Sequence, residues 1–339
     1  MSLPAEVTQF SPSATEPVTV LGGSGFIGTR LVGDLLAKAI PVRIGDLDRS
    51  DAYPQLWQAC DVRESATLPR CLEGASAVIN LAAEHRDDVQ PLSRYYDTNV
   101  KGAEQVCSAA RAVGLQKIIF TSTVAVYGFQ KKATEEGGPF EPFNEYGKTK
   151  LEAEAIYRAW ALEDPRRSLV IVRPTVIFGE RNRGNVYNLI QQIACGKFLM
   201  IGSGSNIKSM AYVGNITSFL SYALSFGPGI EVFNYVDTPD MSTLELVQFI
   251  RRCLGKSGRI SRVPRSVAML GGHALDIVAR LSGRRFSISA IRVRKFCETT
   301  QFPADRIRER SNFIAPFSLR EALERTIRFE FVEGADYPR

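Results

Sequence analysis

Val18-Thr19-Val20-Leu21-Gly22-Gly23-Ser24-Gly25-Phe26-Ile27-Gly28 is an apolar run that breaks into glycines and passes into a helix-like stretch reaching about Lys38. Read as strand, turn and helix, it is a G-x-x-G-x-x-G loop. Residues without side chains let backbone N–H groups approach a pyrophosphate at a helix N-terminus, where the dipole favours negative charge. Glycine turns between strand and helix are common, so the context decides. Val42-Arg43-Ile44, Ala77-Val78-Ile79-Asn80-Leu81, Lys117-Ile118-Ile119-Phe120 and Leu169-Val170-Ile171-Val172 are further apolar runs. Helical patterns separate the later ones, from Tyr95 to about Val113 and from about Tyr146 to Ala161. Continuous apolar strands spaced by helices predict a parallel sheet covered on both faces.

The expected fold is therefore α/β, a Rossmann-type doubly wound parallel sheet, with residues 17–178 as the dinucleotide-binding domain. Residues 1–16, rich in Ser, Pro and Thr, are expected to be a flexible extension. After Pro174 the pattern turns irregular. Residues 179–339 are expected to form mainly a smaller substrate lobe, with some elements returning to the sheet.

The chain has 339 residues, and at about 150 residues per domain that favours two lobes. Hydrophobic residues make up 45% and charged residues 23%, which excludes a disordered tail, a disulfide miniprotein, a collagen and a coiled coil. Six cysteines without a C-x-x-C pair point to reduced thiols and a cytoplasmic protein. The N-terminus has no signal-peptide pattern, and no run approaches ~18 apolar residues, so no membrane span is expected. His85 and His273 are the only histidines, too few for a His-rich metal centre, and no metal is expected.

Asp46 stands 18 residues after Gly28, where an acid hydrogen-bonds a ribose 2′-hydroxyl and repels a 2′-phosphate. That favours NAD over NADP, although Arg49 nearby could accommodate the phosphate. Asp61-Val62 falls at a place suited to the adenine end, with a solvated loop acid as the alternative. Tyr146-Gly147-Lys148-Thr149-Lys150 places Tyr146 and Lys150 four apart, on one helix face. A phenol of pKa near ~10 is a poor base at neutral pH, and a neighbouring ammonium favours its phenolate. Thr121-Ser122-Thr123-Val124-Ala125-Val126-Tyr127-Gly128 directly follows the fourth strand. In open α/β sheets ligands bind beyond the carboxyl ends of strands, so its hydroxyls sit where a substrate would.

With these three motifs in chain order, the sequence resembles the extended short-chain dehydrogenases/reductases of the nucleotide-sugar epimerase type, over residues 17 to about 330. The resemblance implies that Thr123 holds the substrate hydroxyl, Tyr146 takes its proton, and Lys150 tunes Tyr146 and binds the nicotinamide ribose. It implies NAD contacts at Gly22, Gly25, Phe26, Ile27, Gly28, Asp46, Asp61, Val62, Ala82, Tyr146 and Lys150. The family's 4,6-dehydratases carry Asp-Glu after the threonine; Val124-Ala125 here disfavours dehydration. Longer strings, among them Leu81 to Asp88, Arg173 to Asn185, Lys208 to Asn215 and Lys295 to Phe302, resemble one bacterial subfamily. Its members invert C4 of GlcNAc linked to undecaprenyl diphosphate, for surface polysaccharide such as O-antigen. A soluble UDP-sugar 4-epimerase or a nucleotide-sugar 4-ketoreductase is the alternative. By the same resemblance Asn185 and Lys208 face the substrate diphosphate, Lys208 standing where soluble relatives have Arg; exposed loop polarity is the other reading. A homodimer is the family habit.

The net charge of +6 is uneven: residues 251–310 hold fifteen Lys/Arg and four Asp/Glu, whereas the remainder is acidic. Within this segment Val267, Leu270, Ala274, Leu275, Val278 and Leu281 recur at helical spacing, flanked by Arg259, Arg262, Arg265, Arg280, Arg284 and Arg285. Such a helix fits either peripheral contact with an anionic leaflet or the core of the small lobe. Gly271-Gly272 weakens the helix. No nucleic-acid-binding module is present.

Overall fold

The computed structural model describes residues 16–86, 89–130, 133–282 and 290–333. The expected extension (residues 1–15 of it), Asp87-Asp88 and Arg284-Arg285 lie outside that set. So do the side chains of Val278, Arg280 and Leu281.

The described residues form twelve strands: β1 Val18–Leu21, β2 Val42–Asp46, β3 Trp57–Ala59, β4 Ala77–Asn80, β5 Lys117–Thr121, β6 Ser168–Pro174, β7 Val176–Phe178, β8 Met200–Ile201, β9 Ile207–Tyr212, β10 Gly229–Tyr235, β11 Asp237–Ser242 and β12 Arg262–Val263. Seven build one sheet in the order β10-β6-β5-β4-β1-β2-β3, and every neighbouring pair in it is parallel. The chain runs outward from β1 to β3, then returns to place β4 beside β1 and builds the other way. That reversal leaves a crevice beyond the carboxyl ends of β1 and β4, where ligands bind in sheets of this kind.

Alternate residues of each central strand enter opposite cores. Leu21, Val78, Ile118 and Ile171 pack with Val106, Tyr157 and Trp160 of the helices Gly102–Ala112 and Glu145–Leu162. Val18, Val20, Ile79, Ile119 and Val172 face Leu31 and Leu35 of the helix Phe26–Ala37, with Ile216 and Phe219 of the helix Val213–Tyr222. Both faces are dry, so the strands are apolar without alternation.

The sequence pattern passed over β3, a three-residue strand, and β10, which lies 55 residues beyond Pro174 at its first residue yet pairs with β6 along its whole length. Asp46 is the last residue of β2 rather than a residue beyond it. The second half also forms a β11-β9-β7 sheet and a β12-β8 pair, around a core that includes Phe178, Ile190, Tyr212, Leu246 and Leu323. The helix Arg265–Ser282 continues through Gly271-Gly272, despite the glycine propensity there. Val267 and Leu270 on its expected apolar face are 56% and 73% exposed. No described helix is long and apolar enough to cross a membrane.

Candidate active site

The glycine turn leaves β1 with Gly22 in the left-handed region at φ 77°, and a Cβ there would lie 2.8 Å from the Ala82 nitrogen. A Cβ on Gly28 would come within 2.5 Å of the Gly23 Cα, because the first turn of its helix rests on the loop. Gly25 is exposed at the helix N-cap. This is a backbone cradle that side chains would fill, and it fits a dinucleotide pyrophosphate. Phe26 and Ile27 turn away in different directions, Ile27 onto the main sheet and Phe26 onto the core of the second half.

Asp46 joins the cradle directly. The Ser24 N–H donates to its Oδ2 at 2.9 Å and the Asp48 N–H to its Oδ1 at 3.2 Å, which leaves further lone pairs for ribose hydroxyls. Arg49 is exposed. Ala82 closes the other side of the crevice, its N–H held by Asn80 Oδ1 at 3.0 Å. Asp61 faces Arg63, whose Nη2 lies 2.6 Å from its Oδ2, and that guanidinium holds the Asp61 carboxyl below its usual range. The neighbouring Val62 packs under Gly102.

At the end of β5 the chain makes a short turn, Val124–Tyr127, capped by Thr123, whose buried Oγ1 accepts the Ala125 N–H at 3.1 Å. Asn144 caps the helix Glu145–Leu162 by accepting the Gly147 N–H at 2.9 Å. Gly147 rests against the Ala125 carbonyl, so the helix start that carries Tyr146 is packed onto the Thr123 turn. One turn later Lys150 is 1% exposed, with Nζ 4.1 Å from the Phe120 ring centroid. Burial pulls its ammonium down to about 7, and the Glu154 carboxylate opposes that shift. Thr123, Tyr146 and Lys150 thus stand on two elements in direct contact at the carboxyl edge of the sheet.

Several supporting residues escaped the sequence reading. Asn99 lies in the π-helical stretch Tyr96–Lys101, donates to the Glu84 carbonyl and to Thr149 Oγ1, each at 3.0 Å, and accepts the Glu84 N–H at 2.9 Å. It thereby ties the loop after β4 to the Tyr146 helix. Beneath Thr123, Ser122 donates to Glu154 at 2.6 Å, and Arg173 holds the same carboxylate through bonds of 2.8 and 2.5 Å. Arg173 also donates to the Tyr127 hydroxyl at 2.6 Å, which in turn donates to Asn234 at 2.7 Å. Glu154 shares a helix face with Tyr146 and Lys150 at successive four-residue steps, the signal available in the sequence.

Asn185 is exposed at the first turn of the helix Asn185–Ala194. The preceding loop is held from the C-terminal side, where Glu330 accepts the Arg181 N–H at 2.5 Å and the Arg183 guanidinium at 2.6 Å. Lys208 spends its ammonium on the carbonyls of Lys295 and Glu298, at 2.9 and 2.6 Å, and burial pulls it down to about 8. It ties β9 to the end of the helix Ala290–Cys297.

Comparison with known proteins gives a consistent picture. The model of the NAD dependent epimerase/dehydratase family matches residues 18–235. The chain is 48% identical, over 94% of its length and 96% of the relative's, to the N-acetyl-alpha-D-glucosaminyl-diphospho-ditrans,octacis-undecaprenol 4-epimerase of Escherichia coli O157:H7. It is 29% identical to the UDP-glucose 4-epimerase of Vibrio cholerae, over 78% of this chain and 85% of that one. The UDP-glucose 4-epimerase of Thermotoga maritima, solved with UDP-glucose, shares the fold at TM-score 0.74 and 20% identity, covering 93% of this chain and 98% of that one. The Thermus thermophilus UDP-glucose 4-epimerase, solved with NAD, does so at TM-score 0.71 and 19% identity, covering 92% and 98%.

Proposed function

The chain belongs to the NAD-dependent epimerase/dehydratase family, and on that premise we propose that it inverts C4 of GlcNAc linked to undecaprenyl diphosphate, in surface polysaccharide (O-antigen) biosynthesis. The observation that carries this reading is the end-to-end likeness to the undecaprenol 4-epimerase, 48% over 94% of the chain.

NAD is the cofactor, and when bound it supplies a reversible hydride acceptor. Gly22, Gly25 and Gly28 would hold its pyrophosphate, Asp46 its ribose, Asp61 and Val62 its adenine end, and Ala82 with Lys150 its nicotinamide side. Tyr146 takes the proton of the sugar 4-hydroxyl and later returns it to the oxygen on the inverted centre. Thr123 orients that hydroxyl. Lys150 stabilises the phenolate through charge at short range in a dry site. Between the two half-reactions the 4-keto sugar turns over and presents its other face.

Peripheral contact of the helix Arg265–Ser282 with the inner face of the cell membrane belongs to the same reading, supported by its exposed Val267 and Leu270 and its basic flanks. So does a homodimer, supported by the family resemblance.

The test supplies purified protein with UDP-GlcNAc and with GlcNAc on a short polyprenyl diphosphate, without added cofactor, and analyses both for GalNAc. Inversion of the prenyl-linked sugar is expected. Inversion of the nucleotide sugar alone, or dependence on added NAD(P)H, overturns the assignment in favour of a soluble epimerase or a 4-ketoreductase.

A further inference from the structure

Between the Thr123 turn and the Tyr146 helix the chain carries two aromatic rings that the proton chemistry does not use. Phe129 directly follows Gly128, where the turn ends, and Phe143 stands three residues before Tyr146. The two rings stack with centroids 4.3 Å apart and planes 20° from parallel. Phe143 remains 41% exposed.

Two cations from the helix Ala290–Cys297 lie over this pair. The Arg294 guanidinium carbon is 4.8 Å from the Phe129 centroid, and Lys295 Nζ is 5.2 Å from that of Phe143. The nearby carboxylate of Glu298 is 3.9 Å from Arg294 and takes its closer partner, at 2.8 Å, from Arg265. Ile291, on the face of Lys295 four residues on, is 46% exposed. This helix packs against Arg265–Ser282, with its exposed Val267 and Leu270. Exposed apolar side chains with basic neighbours therefore stand at the start of the catalytic helix and on both of these helices.

A prenyl diphosphate has the matching chemistry, a branched apolar chain behind an anionic head. A nucleobase stacks on an exposed ring too, but only a prenyl chain extends beyond it toward the exposed apolar residues of the neighbouring helices. We propose that the Phe129–Phe143 platform is the subsite for the first isoprene units of the lipid carrier, with Arg294 and Lys295 beside its diphosphate. The proposal rests on the prenyl-linked reading of the substrate.

The test measures KM for GlcNAc diphosphate carrying dimethylallyl, geranyl and farnesyl chains. In the unaltered protein KM is expected to fall about tenfold from the shortest to the longest chain, or about 1.4 kcal/mol. Phe129→Ala with Phe143→Ala is expected to remove that dependence, and Phe143→Trp, which keeps an aromatic face, to retain it. Phe143→Ser, which alters one ring of the pair and leaves Phe129 in place, carries the same test should the double variant unfold. Replacing Arg294 and Lys295 by Gln is expected to raise KM for all three chains alike. An unaltered protein whose KM ignores chain length, or alanine or serine variants that keep the full dependence, overturns the subsite and leaves the epimerase reading standing. Inversion of UDP-GlcNAc with none of the prenyl substrates turned over overturns the epimerase reading on lipid-linked sugar.

Discussion

Gly147 lies so close to Ala125 that a Cβ built on it would stand 2.6 Å from the Ala125 carbonyl oxygen. This contact sets the distance between the helix bearing Tyr146 and the turn bearing Thr123. Gly147→Ala is expected to push the two apart, cost about 1–3 kcal/mol of stability and lower kcat by on the order of 100-fold. Thermal melting and steady-state kinetics check both; an alanine variant with unchanged kcat would detach the contact from catalysis.

Tyr146→Phe removes one oxygen from a half-buried ring and leaves the cradle around Gly22 untouched. The variant is expected to retain NAD through purification and to lose on the order of 10²–10⁴ in turnover. Near-normal turnover would place the proton transfer on another group.

Asp46→Ala takes away the carboxylate that accepts the Ser24 and Asp48 N–H groups. Both the ribose contact and the shape of the turn are expected to suffer, so the protein should emerge with much less than one NAD per chain. Cofactor content measured after denaturation is the readout.

Burying the Lys150 ammonium costs stability. Its amine is protonated in the unfolded chain up to about 10.5 but, once buried, only up to about 7. Between those values the unfolded state binds more protons, so stability rises with pH across that window. Below it both states are protonated and the full burial penalty applies. Lys150→Met is therefore expected to abolish turnover yet gain about 1–4 kcal/mol near neutrality, the gain shrinking toward pH 10. Denaturant melts of both proteins at several pH values measure it, and a constant difference would contradict the burial argument.

The Glu154–Arg173 pair, 2% and 1% exposed, is expected to behave as a unit. Glu154→Met alone leaves an uncompensated guanidinium and should cost about 3–5 kcal/mol. Adding Arg173→Met should recover most of that stability. Turnover should stay low, because Ser122 beside Thr123 has then lost its acceptor. Recovery of both properties together would make the pair purely structural.

The features legible in the sequence are those whose partners lie within one turn or one strand of each other. The glycine turn, the helix after it and the Tyr146/Lys150 spacing follow from local backbone geometry, and five central strands announce themselves because both sheet faces are dry. The three residues Trp57–Ala59, none of them fully buried, carry no such signal. Lys208 was read toward a substrate diphosphate, but two of its hydrogen bonds go to carbonyls roughly ninety residues away, at Lys295 and Glu298.

By itself, then, the order of residues marked five of the seven sheet strands, the cradle and the chemistry of the candidate reacting groups, since steric freedom at glycine, helical periodicity and side-chain acidity are local properties. Only the tertiary structure decided the environment those groups work in. The burial of Lys150, the meeting of Ser122, Glu154 and Arg173, and the cations over Phe129 and Phe143 depend on which distant segments exclude water around them. Solvent exclusion is a property of the packed whole and leaves no mark on any single stretch of chain.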